Sequence, residues 1–159
     1  MQKIHLLEQS QDLALSLDEA WSFFSSPRNL DEITPTELGF RIESCLSDVM
    51  HEGQIITYKV MIFPGIWVPW VTEIRAVQER CSFIDEQRFG PYAFWHHRHH
   101  FEAMEGGVRM LDQVHYAVPF WPLGELAHET VVRPKLERIF EYRRKVLAQR
   151  FGEVGPQSR

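Results

Sequence analysis

Cysteine is nearly missing from this chain, with only Cys45 and Cys81 in 159 residues. The pair has no metal-type spacing and is too small for a disulfide framework, so we read both as reduced thiols of a cytosolic protein. Long apolar runs are missing as well. No stretch approaches the roughly 18 apolar residues of a membrane-spanning helix, which argues against stable membrane insertion. The opening MQKIHLLEQSQD lacks the apolar core and small-residue cleavage site of a secretory signal, and a cytoplasmic location is the expectation. Nor is there a glycine-rich phosphate loop, a nucleophile motif, a cofactor fingerprint or an arginine-aromatic stripe. We therefore expect no cofactor and no nucleic-acid partner.

What is present is globular: 44% hydrophobic and 25% charged residues. The length suits one domain with a full core and is short for two, so we expect a single domain over 1–151 and a flexible tail over 152–159. The net charge of −5 is uneven, because Arg133 to Arg150 holds seven Lys or Arg against Glu137 and Glu141. That excess fits a phosphate or lipid contact, or a solvated helix face whose Arg143, Arg144, Lys145 and Arg150 complement the macrodipole. We take the second.

Lys3 to Leu15 reads as a long first strand. Ser16-Leu17-Asp18-Glu19 is a capping box, so a helix begins there, with Leu17, Ala20, Trp21 and Phe24 on its buried face. Ser26-Pro27 opens a second short helix that Thr34-Pro35 ends. Phe40 to Ser44 is a short strand. Gln54 to Phe63 and Trp67 to Val77 form a hairpin about Pro64-Gly65, with Trp70, Thr72, Ile74 and Ala76 inward and Ile66 and Trp67 offering an apolar lip. Cys81 to Gln87 is a strand with Phe83, Asp85 and Gln87 on one face.

Next comes GPYAFWHHRHHFE, Gly90 to Glu102, where four histidines crowd among large aromatics. On a strand, Trp95, His97, His99 and Phe101 share one face, and Phe94, His96, Arg98 and His100 the other. The first set is the more apolar and is placed inward. Two inward imidazoles need partners or a ligand. A loop at Gly106-Gly107 leads into Val108 to Val118, setting Phe101 opposite Asp112, His99 opposite Val114 and His97 opposite Tyr116. Asp112 then lies diagonal to His99, and His115 falls on the outer face beside Arg98. Beyond Pro122 the chain turns helical to about Arg150, with Val132, Leu136, Ile139, Phe140, Val146 and Leu147 as its apolar stripe. Pro134 predicts a kink, or a short helix ahead of a long one.

This order resembles the helix-grip fold of the START-like or SRPBCC superfamily, which includes polyketide cyclase and dehydrase relatives. The segments SPRNLDEITP, FIDEQRFGPYAFWHHRHHFE and LDQVHYAVPFWPLG resemble a bacterial ligand-binding subgroup of it. The resemblance implies an α+β architecture: a curved antiparallel β-sheet of about six to seven strands wrapped around a long C-terminal α-helix, with two short helices after the first strand. It implies a deep cavity for a small hydrophobic or amphipathic molecule, and members also occur beside epimerase-like oxidoreductases, which makes such a protein the implied partner. Fold does not choose between binding and catalysis.

Four readings of the histidine block stay open. It is a structural network oriented by Asp112 and Asp85 and closed by Tyr116, a polar patch at the floor of an apolar cavity, a proton-transfer centre, or a metal site. The candidates for proton transfer in a cyclase- or dehydrase-like enzyme are His97, His99 and Asp112. His97-x-His99 is a metal-ligand spacing to which Asp112 is the available third, but three ligands must converge on one point, and we expect no metal. The ligand-binding set is Trp70, Ile74, Asp85, Trp95, His97, His99, Phe101, Asp112, Tyr116 and Arg143. A protein-interaction role would use the basic helix face or the outer patch of His96, Arg98, His100 and His115.

Overall fold

The computed structural model describes residues 3–30, 32–35, 39–44, 47, 49–120 and 122–155. Cys45 and residues 156–159 of the expected tail lie outside them. The strands are β1 (His5–Leu13), β2 (Phe40–Ile42), β3 (Ile55–Phe63), β4 (Ile66–Gln78), β5 (Ser82–Phe89), β6 (Phe94–Met104) and β7 (Gly107–Ala117). They form one antiparallel seven-stranded sheet in the order β1-β7-β6-β5-β4-β3-β2. Helix α1 (Leu17–Phe24) and a 3₁₀ turn (Pro27–Leu30) follow β1, and α2 (Leu123–Ala127), a π-turn (His128–Val132) and α3 (Arg133–Phe151) follow β7. This is a helix-grip fold, with the curved sheet wrapped about α3.

Local chemistry explains the elements. The Ser16 hydroxyl accepts from the Glu19 amide at 3.2 Å while the Glu19 carboxylate accepts from the Ser16 amide at 2.8 Å, closing the first turn of α1. On α3 the buried positions Leu136, Phe140, Arg143 and Leu147 recur at helical spacing. Pro134 sits in the first turn of α3, where its missing N–H costs least. The π-turn before it widens the backbone so that Arg133 N–H reaches the His128 carbonyl. The helix is thus divided ahead of Pro134, as the sequence predicts.

Two corrections concern register. The β6–β7 loop is Glu105-Gly106, not Gly106-Gly107: Met104 pairs with Gly107, His99 with Asp112 and His97 with Val114. Gly106 takes the positive φ of +83°, whereas Gly107 is needed in the strand, since a Cβ there would stand 2.1 Å from the Leu13 carbonyl. The shift is two residues, so no side chain changes face. On β4, Ala76 does not continue the inward row: it adopts φ +50° in the irregularity between Arg75 and Gln78, and the half-buried Val77 packs on the core instead. Residues just after α3 are hydrogen-bonded to the end of β1. Ala14 N–H donates to the Gly152 carbonyl at 3.1 Å and Val154 N–H to the Asp12 carbonyl at 3.0 Å.

The basic stretch of α3 is met by counter-charges from the helix itself and from its neighbours. Arg133 pairs with Glu129 and Glu137, Lys145 with Glu141, Arg144 with Glu153 and Arg150 with Glu32. Arg143 is different: it is buried, with 7% exposure. No helix among the described residues is long and apolar enough to cross a membrane.

Candidate functional site

Strands β5, β6 and β7 lie side by side, and cross-strand pairing brings Asp85 opposite His97 and His99 opposite Asp112 on the inner face. The two imidazoles lie 3.8 Å apart between ring centroids. A carboxylate stands on each side of them. His97 Nε2 is 2.9 Å from Asp112 Oδ1, and His99 Nε2 is 3.1 Å from Asp85 Oδ2. The other nitrogens face the opposite partners, His97 Nδ1 at 3.2 Å from Asp85 Oδ2 and His99 Nδ1 at 3.0 Å from Asp112 Oδ1. Trp95 Nε1–H donates to Asp85 Oδ1 at 3.0 Å, and Phe83 stacks on His99 at 4.3 Å. Arg143 reaches in from α3, its Nη2 3.6 Å from Asp112 Oδ1 and 3.5 Å from His99 Nδ1.

Charge counting constrains this cluster. Two carboxylates against one guanidinium leave one negative charge, which a single proton or cation on the imidazole pair offsets. Burial pushes the Asp112 carboxyl up, but Arg143 and the hydrogen bonds from His97 and His99 win and hold it well below the usual carboxylate range. Asp85 is likewise held low against burial, chiefly by His97 and then His99. For His97 burial works downward, and the charge of Asp85 with the hydrogen bonds to Asp112 and Asp85 raises its proton affinity.

The cluster floors a cavity of about 390 Å³ between the sheet and α3. Its walls are apolar and aromatic, including Tyr58, Trp70, Tyr92, Trp95, Leu136 and Phe140, with Asp85, His97 and Arg143 at the bottom. Exposed Phe63, Phe120 and Val131 mark its mouth. A smaller hollow of about 60 Å³ shares Tyr58, Asp85 and Arg143 with it and adds Ile74, Phe83 and His99.

Of the residues chosen from sequence, Trp70, Asp85, Trp95, His97 and Arg143 line the main cavity, and Ile74 and His99 the small one. Phe101, Asp112 and Tyr116 line neither. Phe101 is in the core beside Phe24 and Phe83, and Asp112, at 1% exposure, stands behind the imidazoles. Tyr116 does not close the histidine network; its hydroxyl is 2.8 Å from His128 Nε2. The lip also differs. Trp67 lies beneath the Arg41 guanidinium and Ile66 is exposed, while Met61, Ile62 and Phe63 of β3 supply the cavity wall. His96, Arg98, His100 and His115 fall on the outer face, as the alternation predicts.

A second histidine centre escaped sequence reasoning. His5 and His128 stack at 3.5 Å, and His5 Nε2 is 3.0 Å from Glu125. Burial and the neighbouring His128 hold the His5 imidazole below its usual value. The available signal was the pairing of β1 with β7, which puts His5 opposite Tyr116. Nothing local announces His128, which the π-turn carries inward.

No family model and no curated protein match the chain. Solved structures share its fold. Protein CV1439 from Chromobacterium violaceum superposes with a TM-score of 0.68 at 13% identity, over 94% of this chain and 99% of its own. Ms6760 from Mycobacterium smegmatis gives 0.63 at 18% identity, over 91% and 92%. Ara h 8.0201 gives 0.58 at 18% identity, over 92% and 99%. Likeness at these identities concerns the fold alone.

Proposed function

We propose that this chain binds a small, largely apolar molecule bearing a hydrogen-bond acceptor, in the cavity between sheet and α3, as a ligand-binding or carrier module. The cavity carries the reading. Its 390 Å³ falls in the range of about 300–1,000 Å³ usual for small-molecule sites, with mostly apolar walls and a few placed polar groups. Two lining residues hold buried donors with no acceptor among the described residues, Trp70 Nε1 and Arg143 Nε. An unmet buried donor costs about 1–3 kcal/mol, and a ligand oxygen would relieve it.

The helix-grip fold and the SRPBCC-like segments support the same reading. The cyclase- or dehydrase-like alternative needs an imidazole nitrogen free to take a substrate proton, yet both nitrogens of His97 face carboxylates at 2.9 and 3.2 Å. Binding is the simpler use of this geometry. The oxidoreductase partner follows from the resemblance alone.

Native mass spectrometry of freshly purified protein, followed by solvent extraction, tests for a retained molecule. Titration with the fluorescent apolar anion 1-anilinonaphthalene-8-sulfonate measures the cavity directly. Val132→Trp, which fills the wall from the π-turn, is expected to weaken the probe at least about tenfold. Unchanged affinity in that variant, with native circular dichroism, overturns the reading.

A further inference from the structure

We propose that Asp85, His97 and His99 form a binding site for a divalent transition metal of the zinc class, with Asp112 as the group that orients both imidazoles. On the β6–β7 face the sequence offers only Asp112 as a third ligand, and the structure puts Asp112 behind the rings. The third ligand comes from the neighbouring strand: Asp85, His97 and His99 each present a donor atom, all within 4.8 Å of one another.

The spacing suits the metal. Asp85 Oδ2 lies 3.2 Å from His97 Nδ1 and 3.1 Å from His99 Nε2. Tetrahedral zinc with bonds of about 2.0–2.1 Å needs ligand-to-ligand edges of about 3.3–3.4 Å, so both edges from Asp85 are within a few tenths of an ångström of that length, and the donor atoms of the two rings lie within 4.8 Å of each other. Binding through those two nitrogens leaves His97 Nε2–H and His99 Nδ1–H facing Asp112 Oδ1 at 2.9 and 3.0 Å. Carboxylate-to-imidazole-to-metal relays of this kind fix ring tautomer and orientation in metal sites. Trp95 holds the other Asp85 oxygen, and Arg143 offsets Asp112. Because Asp85 and His97 also line the main cavity, a fourth coordination position opens into it. The cluster bears one negative charge with neutral imidazoles, so a dication leaves a net positive charge. The fourth ligand is then an anionic oxygen: hydroxide, or a carboxylate, phenolate or enolate.

The metal site stands apart from the apolar-ligand reading, and its test uses the metal alone. Chelator-stripped protein is titrated with cobalt(II), then zinc(II), by visible absorption and calorimetry. One cobalt per chain, with intense four-coordinate bands that zinc abolishes, is the expected result. Asp85→Asn and His97→Ala should lower affinity by about a hundredfold or more, and Asp112→Asn by about 10–100-fold. His96→Ala, on the outer face, should leave it unchanged. The wild-type titration is decisive even where a variant fails to fold: no binding at about millimolar cobalt, where even weak sites fill, overturns the proposal. So does binding that survives Asp85→Asn and disappears with His96→Ala, which would assign the metal to the outer histidines.

Discussion

Replacing Asp112 by Asn tests whether the buried charges depend on one another. The amide keeps the size and one acceptor of the carboxylate but removes its charge. It strands the Arg143 guanidinium, 7% exposed, without the carboxylate 3.6 Å from it. Breaking a buried ion pair from one side costs about 3–5 kcal/mol, because the remaining charge has no compensation. For a chain of this size each kcal/mol moves the unfolding midpoint by about 2–4 °C, so Asp112→Asn should lose roughly 6–20 °C. The second arm is the double variant Asp112→Asn with Arg143→Met. A buried pair replaced by apolar or neutral groups is often neutral or better, so the double variant should recover most of the loss. Thermal and urea unfolding, both in excess chelator, read the two arms. A single-variant loss under about 1 kcal/mol, or a double variant no more stable than the single, would refute the claim that the carboxylate is there to hold the guanidinium.

Stability should also respond to pH through His5. Its folded proton affinity is depressed below the ordinary value of 6.5 by burial and by His128, against smaller opposing pulls from Glu125. The unfolded chain therefore takes up the proton first, and stability present above pH 6.5 declines as pH falls from there toward the folded value. In His5→Phe, which keeps a ring against His128, the change in urea midpoint between about pH 7.5 and 5.5 should shrink; an unchanged slope counts against the assignment. The two glycines of the β6–β7 turn should rank differently. Gly106→Ala forces a side chain into positive φ and should cost about 1–2 kcal/mol. Gly107→Ala drives a methyl group into the Leu13 carbonyl and should cost more, about 2–3 kcal/mol, by denaturant unfolding. Leu147→Ala, at a fully buried position of α3, should cost about 3–5 kcal/mol. A value near 1 would mean that α3 does not seat as described.

Sequence reasoning succeeded where one element carries the whole signal. The inward set Trp95, His97, His99 and Phe101 follows from strict alternation, and a register error of two residues at Gly106-Gly107 cannot disturb it, since the side-chain period is also two. The capping box of α1 and the division of the C-terminal helix ahead of Pro134 were legible for the same reason: each is decided within a few residues. Contacts between elements were not. Asp112 reads as a cavity residue from β7 alone, and only the layering of β5, β6 and α3 shows it shut behind two imidazoles. Asp85 had no reason from sequence to rank above it, yet β5 pairing sets Asp85 in front, where the rings meet the cavity.

The same layering gives the site its asymmetry. Both carboxylates touch both imidazoles, but Asp112 is matched by Arg143 from the helix, while among the described residues the second oxygen of Asp85 has a neutral donor, Trp95 Nε1–H, and no cation. The unmatched negative charge therefore sits on the side that opens to the cavity. A proton there is shared between rings that already face acceptors on both sides, which makes the floor a poor proton donor to a ligand. A cation seated there, or an acceptor group drawn to Arg143 Nε, which has no partner among the described residues, would use the asymmetry instead. On the proposed binding reading, recognition falls to Asp85 and Arg143, one from the sheet and one from the helix, with the histidines between them setting the distance.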